Sequence, residues 1–401
     1  CHTGQAIVYG SDVAKDVTGG WHDAGDYGRY VVPGAKAVQD LLLTYEDSAE
    51  AAKDDTIGIP ESGNGVPDIL DEVRYELDWM LKMQDENSGG VYHKVTGEVF
   101  PETVLAVDET AQMILSPIST AATGDFAAVM AKALVIYRDI DKDFADTCLA
   151  AAQKAWKYLE EHEEDPGFTN VGDIVTGSYS DGRMTDEYLW AAAELYIATG
   201  DESYNDYVKK TVKTNVKYGL GWADVGYYAI YDYCMNVKDC EAEKTILKEG
   251  ADELVKNYGK CGFGSATGGE YVWGSNMAVA NDGMLMLMAS KVFGDDSYVD
   301  YAADQLNYLL GRNPVSYCYV TGYGSQTPEN PHHRPSEVLG KAMPGMLIGG
   351  ANGNLQDPYA KAVLADMAPE RCYVDNAQSY SCNEVTIYWN SPLVYLLAAM
   401  K

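Results

Sequence analysis

Hydrophobic residues along the chain recur mainly at spacings of three and four, the period of an α-helix with one buried face. Ten segments carry this pattern: 34–48, 66–84, 120–139, 144–160, 186–199, 201–218, 242–256, 275–291, 297–310 and 384–400. Gly200-Asp201 and Gly294-Asp295-Asp296 each combine a residue suited to end one helix with a residue suited to cap the next. The pattern therefore predicts an all-α chain without a strand-rich block.

Four longer segments interrupt the helical pattern and are rich in Tyr, Asn, Gly and acidic residues: 87–109, 161–183, 317–343 and 355–383. Loops of this length are usually functional or disordered. The other connections are short, so about a dozen helices would pair as antiparallel hairpins. We expect one domain over residues 1–401, with the long loops forming the rim and floor of an open cleft.

Composition narrows the class of ligand. A net charge of −32 argues against nucleic acid and anionic membranes as partners, because both would be repelled. The 31 tyrosines and 7 tryptophans suit a sugar ligand, since flat aromatic faces stack on sugar rings. No run of about 18 apolar residues predicts a membrane span. The chain begins with neither Met nor a signal peptide, so we expect it to start inside a precursor.

The eight cysteines are too sparse for a disulfide scaffold. Cys234 could pair with Cys240, and Cys372 with Cys382, but connectivity cannot be deduced from sequence and free buried thiols are favoured. Cys1 leaves three interpretations open: a metal ligand, a lipidated cysteine, or a residue at the edge of the expressed segment.

The most informative segment is Gly19-Gly20-Trp21-His22-Asp23-Ala24-Gly25-Asp26-Tyr27-Gly28. Its glycines permit a tight turn, so both aspartates can point into one cavity, and Trp21 can form one side of that cavity. Paired carboxylates of this kind can hold a water molecule and remove its proton. The alternative is a solvated acidic turn, or an aspartate that caps the following helix.

Two further segments carry candidate chemistry. Glu384 stands among aromatic and amide residues beside an apolar final helix, and apolar surroundings raise a carboxyl pKa as a general acid requires. The segment 317–336 contains Pro331-His332-His333-Arg334, which offers cationic and hydrogen-bonding groups for hydroxyls. Two adjacent histidines could equally form a surface turn.

These three segments, in this order, resemble glycoside hydrolase family 9, the inverting cellulases. The C-terminal motif fits at Tyr373, Asp375, Tyr380, Glu384, Thr386, Asn390 and Ser391. His332 and Arg334 fall at the active-site His-x-Arg of the family, whereas Cys318 and Gln326 depart from its usual residues. The resemblance extends through nearly the whole chain and implies a toroid of six helical hairpins, an (α/α)6 barrel.

The resemblance also implies roles. Asp26 would be the general base, Asp23 would help to hold the water and Glu384 would be the general acid. Asp375 would either tune Glu384 or order its own loop. His332 and Arg334 would contact the sugar beside the cleaved bond, and His333 would be structural. Candidates for sugar stacking, each of which could instead be a packing residue, are Trp21, Trp222, Trp273, Tyr317 and Tyr380.

Two metal hypotheses follow. Asp186 and Glu187 open a helix, Asp224 lies downstream, and such oxygen ligands suit a structural Ca²⁺. Alternatively, the two acids only favour the helix N-terminus. Cys1, His2 and His22 suit a structural Zn²⁺ whose fourth ligand would come from upstream or from another loop. These residues resemble the family subgroup with an N-terminal immunoglobulin-like module, which we expect to be absent here. No organic cofactor is expected.

The predicted function is hydrolysis of internal β-1,4-glucosidic bonds in cellulose and related β-glucans with inversion. Alternatives are an exo-acting cellobiohydrolase, a hydrolase of xyloglucan, mixed-linkage glucan or glucosamine oligomers, and a non-catalytic glycan-binding barrel. A barrel isomerase or epimerase would use histidine bases and lacks this acid arrangement. We expect a secreted protein. Attachment to a cell surface or a cellulosome is left open, as are immunoglobulin-like, carbohydrate-binding or dockerin modules in the full-length chain.

Overall fold

The computed structural model describes residues 2–163 and 165–401, and helices dominate it. The α-helices are α1 Val31–Asp47, α2 Ala49–Ala52, α3 Asp68–Met83, α4 Thr120–Tyr137, α5 Lys142–Glu161, α6 Thr185–Thr199, α7 Glu202–Thr211, α8 Gly226–Asn236, α9 Glu241–Tyr258, α10 Ser275–Phe293, α11 Ser297–Leu309, α12 Arg334–Leu339, α13 Pro358–Leu364, α14 Tyr380–Asn383 and α15 Ile387–Ala399. Single 3-10 turns lie at Ala106–Asp108 and Pro369–Arg371. The all-α prediction is confirmed.

Capping residues fix several helix boundaries. Gly200 ends α6 in the left-handed conformation, with φ of 72°, where a side chain would be strained. The Asp201 carboxylate accepts from the Ser203 N–H and begins α7. The Thr386 hydroxyl accepts from the Trp389 N–H and begins α15 two residues after Glu384. The last cap therefore sets where the chain leaves the predicted acid and enters the final helix.

The chain divides into two compact units. The first comprises residues up to 21, 28–101 and 110–247, and the second comprises 22–27, 102–109 and 248–401. In the first unit, α4 packs against α1, α5 and α6, and α6 also packs against α7 and α8. Its core is rich in alanine, since α4 and α6 both bury most of their small residues. Small side chains let these helices approach closely.

The seven short strands of the described residues all lie in the first unit. They are β1 Ala6–Val8, β2 Ala14–Lys15, β3 Arg29–Tyr30, β4 Val91–Tyr92, β5 Lys94–Thr96, β6 Ile114–Leu115 and β7 Ile118–Ser119. One sheet has the order β2-β1-β6-β5-β3, and β4 pairs with β7 in a second. The β1–β6 pair is parallel and the others are antiparallel. Strands of two or three residues are too short to produce a visible alternation, so the hydrophobic pattern does not reveal them.

In the second unit, α10 packs against α11 and α15. The short helices α12, α13 and α14 interrupt what the sequence predicted to be long loops. Isolated bridges join Val320 to Leu347, His332 to Glu384 and Ile348 to Val385. These bridges fix the irregular segments to one another, so the predicted histidine segment and the predicted acid are held side by side.

Besides the short helices, two longer helices differ from the sequence prediction. The pattern missed α8, whose tyrosines Tyr227, Tyr228, Tyr231 and Tyr233 are all buried. A helix buried on every side has no amphipathic period to detect. α7 ends at Thr211 instead of continuing to 218. The β-branched pair Thr211-Val212 at that point is a weak helix former.

One helix, α4, is long and apolar enough by length and composition to cross a membrane. However, 89% of its 18-residue window is buried inside the protein. Such burial is typical of a core helix, and the other described residues contain no helix that meets the same test.

Candidate active site

The turn that carries Asp23 and Asp26 is held by its backbone. The Gly25 carbonyl accepts from the backbone N–H of Arg334 at 3.1 Å and from its guanidinium at 3.0 Å. The Asp23 carbonyl accepts from the Ile387 N–H at 2.8 Å. A Cβ on Gly25 would lie 2.2 Å from a carbonyl oxygen of the histidine segment, so only glycine fits there. Both aspartates, only 3% and 7% exposed, are thus fixed within a buried turn.

Glu384 is held at its backbone on both sides. Its N–H donates to the Tyr380 carbonyl at 2.9 Å, and its own carbonyl accepts from the Gly349 N–H at 2.9 Å. The bridge to His332 adds a third constraint. The half-buried side chain therefore projects from a backbone that has little freedom to move.

The surroundings of Glu384 favour its protonated form. Burial, reinforced by the negative charge of Asp26, raises the pKa of Glu384 to about 8. The Trp273 indole N–H donates to Oε2 at 2.9 Å, and this bond and the Arg334 charge oppose the rise. At neutral pH the carboxyl group can therefore supply a proton, as the sequence predicted.

His332 is neutral and oriented. Burial lowers its pKa, and its Nδ1 lies 3.0 Å from the Ala377 carbonyl. A carbonyl only accepts, so Nδ1 carries the hydrogen and Nε2 is the acceptor nitrogen of the ring. The backbone N–H of His332 donates to the Asn383 carbonyl at 2.8 Å. The imidazole is thus placed as a hydrogen-bond acceptor beside the acid.

His333 and Arg334 make mainly internal contacts. The His333 Nδ1 lies 2.8 Å from the Ser336 hydroxyl at the start of α12, and burial lowers the pKa of this histidine to about 4. Besides Gly25, the Arg334 guanidinium donates to the Glu102 carbonyl at 3.2 Å. Arg334 therefore supports the aspartate turn, and its predicted contact with sugar stays a prediction.

Asp375 orders a loop. Its two carboxylate oxygens accept from the Glu329 and Asn330 N–H groups, each at 2.9 Å. Asp375 is not among the groups that shift the Glu384 pKa. These contacts tie Asp375 to another loop, the one that leads directly to Pro331 and His332, and the two roles that the sequence left open both stay predictions.

The aromatic candidates fall into two groups. In the second unit, Trp273 is 36% exposed with its ring centroid 5.4 Å from that of Tyr380, and Tyr317 meets Tyr373 edge-on at 4.9 Å. Trp21 and Trp222 belong to the first unit. There the Trp21 indole donates to Glu72 at 3.3 Å, and Trp222 meets Tyr179 edge-on at 5.1 Å. The stacking role of all five stays a prediction.

The predicted calcium ligands Asp186 and Glu187 lie in the first turn of α6 and are buried. Asp186 Oδ1, both Glu187 oxygens and Asp181 Oδ2 have no hydrogen-bond partner among residues 2–163 and 165–401. Burial and the negative charge of Asp224 raise the pKa of Asp186 to about 7, although the Arg183 guanidinium, 3.6 Å from Oδ1, opposes the rise. Buried carboxylate oxygens that lack hydrogen-bond donors within the described ranges need a proton, a neighbouring cationic side chain or a bound cation, and calcium binding by Asp186 and Glu187 stays a prediction.

Asp224 is less suited to that role than the sequence suggested. Its carboxylate accepts from the Gly219 N–H at 2.7 Å and from the Arg183 guanidinium at 2.8 Å. Asp181, which the sequence analysis did not select, has one oxygen, Oδ2, with no hydrogen-bond partner in the described part of the chain. No spacing pattern distinguishes Asp181, because it lies in a loop of the first unit that is rich in polar residues.

A second acidic cluster was missed by sequence reasoning. Ligand atoms of Asp55, Asp68 and Asp71 all lie within 4.8 Å of one another. Asp68 is buried, and its Oδ1 has no hydrogen-bond partner in the described part of the chain. Acids on both sides of the Gly/Pro-rich loop 57–65 were the available signal, since that loop brings its two ends together.

The zinc prediction is not tested. Cys1 lies outside the described residues. His2 belongs to the first unit and His22 to the second, where its ring centroid lies 5.1 Å from that of Tyr27.

The geometry of the second unit supports proton transfer at two places. A buried pair of aspartates can take a proton from water, and a carboxylic acid that stays protonated near neutral pH can donate one. Cleavage of a glycosidic bond requires both functions, one carboxyl group that donates a proton and another that accepts one.

Comparisons with known proteins agree. A model described as glycosyl hydrolase family 9 matches residues 1–397. Endoglucanase C of Cellulomonas fimi is 38% identical over 96% of this chain, and Cellodextrinase of Butyrivibrio fibrisolvens is 36% identical over 100% of it. The chain spans 37% of the length of the first relative and 78% of the second.

A solved structure points the same way. The single-mutant thermostable endoglucanase from Alicyclobacillus acidocaldarius superimposes with a TM-score of 0.93 at 40% identity, over 100% of this chain and 78% of that one. The likeness confirms the (α/α)6-barrel fold class that the sequence resemblance implied. The chain belongs to glycosyl hydrolase family 9.

Proposed function

We propose that this chain hydrolyses internal β-1,4-glucosidic bonds of cellulose and related β-glucans with inversion at the anomeric carbon. The observation that carries the proposal is Glu384, an acid whose pKa of about 8 keeps it protonated at neutral pH beside the charge of Asp26. Family membership and the name Endoglucanase C of one relative support the substrate class.

The residues divide the reaction between them. Glu384 gives its proton to the glycosidic oxygen as the bond to the anomeric carbon breaks. Asp26 takes a proton from the attacking water on the opposite face, and Asp23 helps to hold that water. The neutral His332 accepts a hydrogen bond from a sugar hydroxyl through Nε2. Asp375 keeps the histidine segment in place through the Glu329 and Asn330 amides.

The direct test is release of reducing sugar from carboxymethylcellulose by the wild-type chain. Glu384→Gln should lose this activity while keeping its fold. Glu249→Gln is the matched control, because Glu249 is an exposed residue on α9 in the same unit. A wild-type chain that binds the polymer and releases no sugar would be a glycan-binding protein, and the proposal would fail.

A second candidate is preference for short soluble β-1,4-glucans, which the name Cellodextrinase of another relative favours. Viscosity separates the candidates, since internal cleavage collapses the viscosity of carboxymethylcellulose after few cuts. Release of sugar without loss of viscosity would favour action on chain ends or short oligomers.

The proposal includes a structural Ca²⁺ in the first unit. Asp186, Glu187 and Asp181 would hold a structural Ca²⁺, and Asp55, Asp68 and Asp71 form a second candidate group. A cation there would neutralise buried carboxylates and stabilise the native state. It has no part in the proton transfers, which the residues of the second unit perform.

The place of action is the last part of the proposal. A polymeric substrate cannot enter a cell, so the chain would act outside it, in a secreted protein that can carry further modules. The net charge of −32 suits a dispersed protein with a neutral substrate. Fractionation of the producing cells tests this, and retention inside the cell would contradict it.

A further inference from the structure

Trp273 contacts the acid directly. It lies just before α10, and its indole Nε1–H donates to Glu384 Oε2 at 2.9 Å. An indole nitrogen is a donor only, so Oε2 must act as the acceptor in this bond. A protonated carboxyl group has one hydroxyl oxygen and one carbonyl oxygen, and the carbonyl oxygen is the better acceptor. The contact therefore favours the tautomer with the proton on Oε1.

Both partners of this hydrogen bond have packed neighbours. Glu384 is held at its backbone by Tyr380 and Gly349. Behind Trp273, the left-handed Gly274 packs against the Trp389 ring so closely that a Cβ would lie 2.9 Å from it. The Tyr380 ring supports the indole from the side. Glu384 is thus held at its backbone, and the 36% exposed indole has Tyr380 on one side and a backbone anchored next to Trp389.

We propose that Trp273 is a positioning residue for the general acid, which keeps the transferable proton on Glu384 Oε1 and stabilises the carboxylate after transfer. The inference rests on the proposed glycosidase function. In the step, the Oε1–H bond breaks as an O–H bond to the glycosidic oxygen forms, and the electrons of the anomeric C–O bond go to that oxygen. Water attacks the anomeric carbon and loses a proton to Asp26, so charge balances.

This role differs from sugar stacking in its consequences. A hydrogen bond to the charged form of a carboxyl lowers its pKa, so removal of the indole N–H should raise the pKa of Glu384. Activity requires the protonated acid, hence the alkaline limb of kcat/KM should move to higher pH. Loss of a stacking surface would instead weaken substrate binding at every pH.

The variant Trp273→Phe removes the N–H and keeps an aromatic face. On an oligosaccharide that needs acid assistance, kcat/KM at pH 7 should fall by about 10- to 100-fold. On an aryl cellobioside with a dinitrophenyl leaving group the fall should be several-fold smaller. The alkaline limb of kcat/KM should move to higher pH by about one unit. Trp273→Leu, which also lacks the N–H, should give the same shift.

Trp389→Phe is the matched control, because it loosens packing behind the same turn without removing a donor to Glu384. It should lower the melting temperature and leave the alkaline limb in place. Equal losses on both substrates with an unmoved limb would make Trp273 a stacking residue and overturn the inference. A wild-type chain without activity on either substrate would instead overturn the proposed function, so the two failures are distinguishable.

Discussion

Two groups of carboxyls with raised pKa values, one in each unit, have opposite surroundings. In the second unit, the Glu384 backbone is held on both sides and its carboxyl accepts an indole N–H. In the first unit, Asp186 Oδ1 and both Glu187 oxygens have no hydrogen-bond donor within the described ranges. Burying a carboxylate without donors is costly unless a cation or a proton compensates. The carboxyl of Glu384 is therefore set up for proton transfer, whereas the charge of Asp186 and Glu187 must be compensated by a proton, by the Arg183 guanidinium 3.6 Å from Asp186 Oδ1, or by the cation that we propose.

The largest effect is expected at the acid. Glu384→Gln keeps the shape of the side chain but cannot deliver a proton, so turnover of unactivated β-glucan should fall by about 10²- to 10⁴-fold. Substrates whose leaving group needs no proton should be largely spared. Parallel assays on cellopentaose and a dinitrophenyl cellobioside measure this, and near-normal hydrolysis of cellopentaose would remove Glu384 from the acid role.

Replacement of the two aspartates should lower kcat by different amounts. Asp26→Ala removes the proposed base and should lower kcat by about 10²- to 10⁴-fold, whereas Asp23→Ala should cost less because it only loosens the water. Azide should partly restore turnover in the Asp26 variant by replacing water as nucleophile. Equal and mild losses of kcat in both variants would mean that this segment is an ordinary buried turn without a catalytic role.

The pH profile of the wild type sharpens the contrast. Since Glu384 must be protonated to act and its pKa is raised to about 8, kcat/KM should fall as the pH rises through about 8. Glu249→Gln should show the same limb. Full activity well above that pH would mean that a different group donates the proton.

A smaller effect is expected at Asp375. Asp375→Asn leaves one acceptor oxygen where two amides now donate, so the His332 segment should loosen and kcat/KM should fall by about tenfold. The position of the alkaline limb should not change. A shift of that limb would show that Asp375 acts on the Glu384 pKa after all.

The first unit should respond through stability. Chelation by EGTA should lower the melting temperature by a few degrees, because an ion bound only to the native state stabilises it by mass action. Added Ca²⁺ should restore it, and Asp186→Asn should abolish the response. Asp300→Asn, an exposed change on α11, is the control that should keep it. An unchanged melting curve in EGTA would show that the first unit holds no structural calcium.

Local sequence patterns predicted much of the fold and part of the candidate site. Gly200 and Asp201 marked a real helix boundary because capping depends on neighbouring residues alone. The glycine-flanked Asp23 and Asp26, and the apolar setting of Glu384, pointed to opposite protonation behaviour. The raised pKa of Glu384 agrees with that reasoning.

Long-range contacts could not be predicted. The hydrogen bond from Trp273 to Glu384 joins residues 111 positions apart, so no spacing rule reveals it. Only the folded chain shows that Asp181 Oδ2 is buried with no hydrogen-bond partner among the described residues. The all-round burial of α8 erased the periodicity that identifies helices at the surface.

The most direct test of the central claim is the anomeric configuration of the first product. A water activated by Asp26 attacks from the face opposite to the oxygen that Glu384 protonates, so no covalent glycosyl-enzyme forms. Proton NMR of cellopentaose hydrolysis, recorded before mutarotation, should show the α-anomer first. Appearance of the β-anomer first would mean retention, and it would contradict the assignment of Asp26 as base and Glu384 as acid.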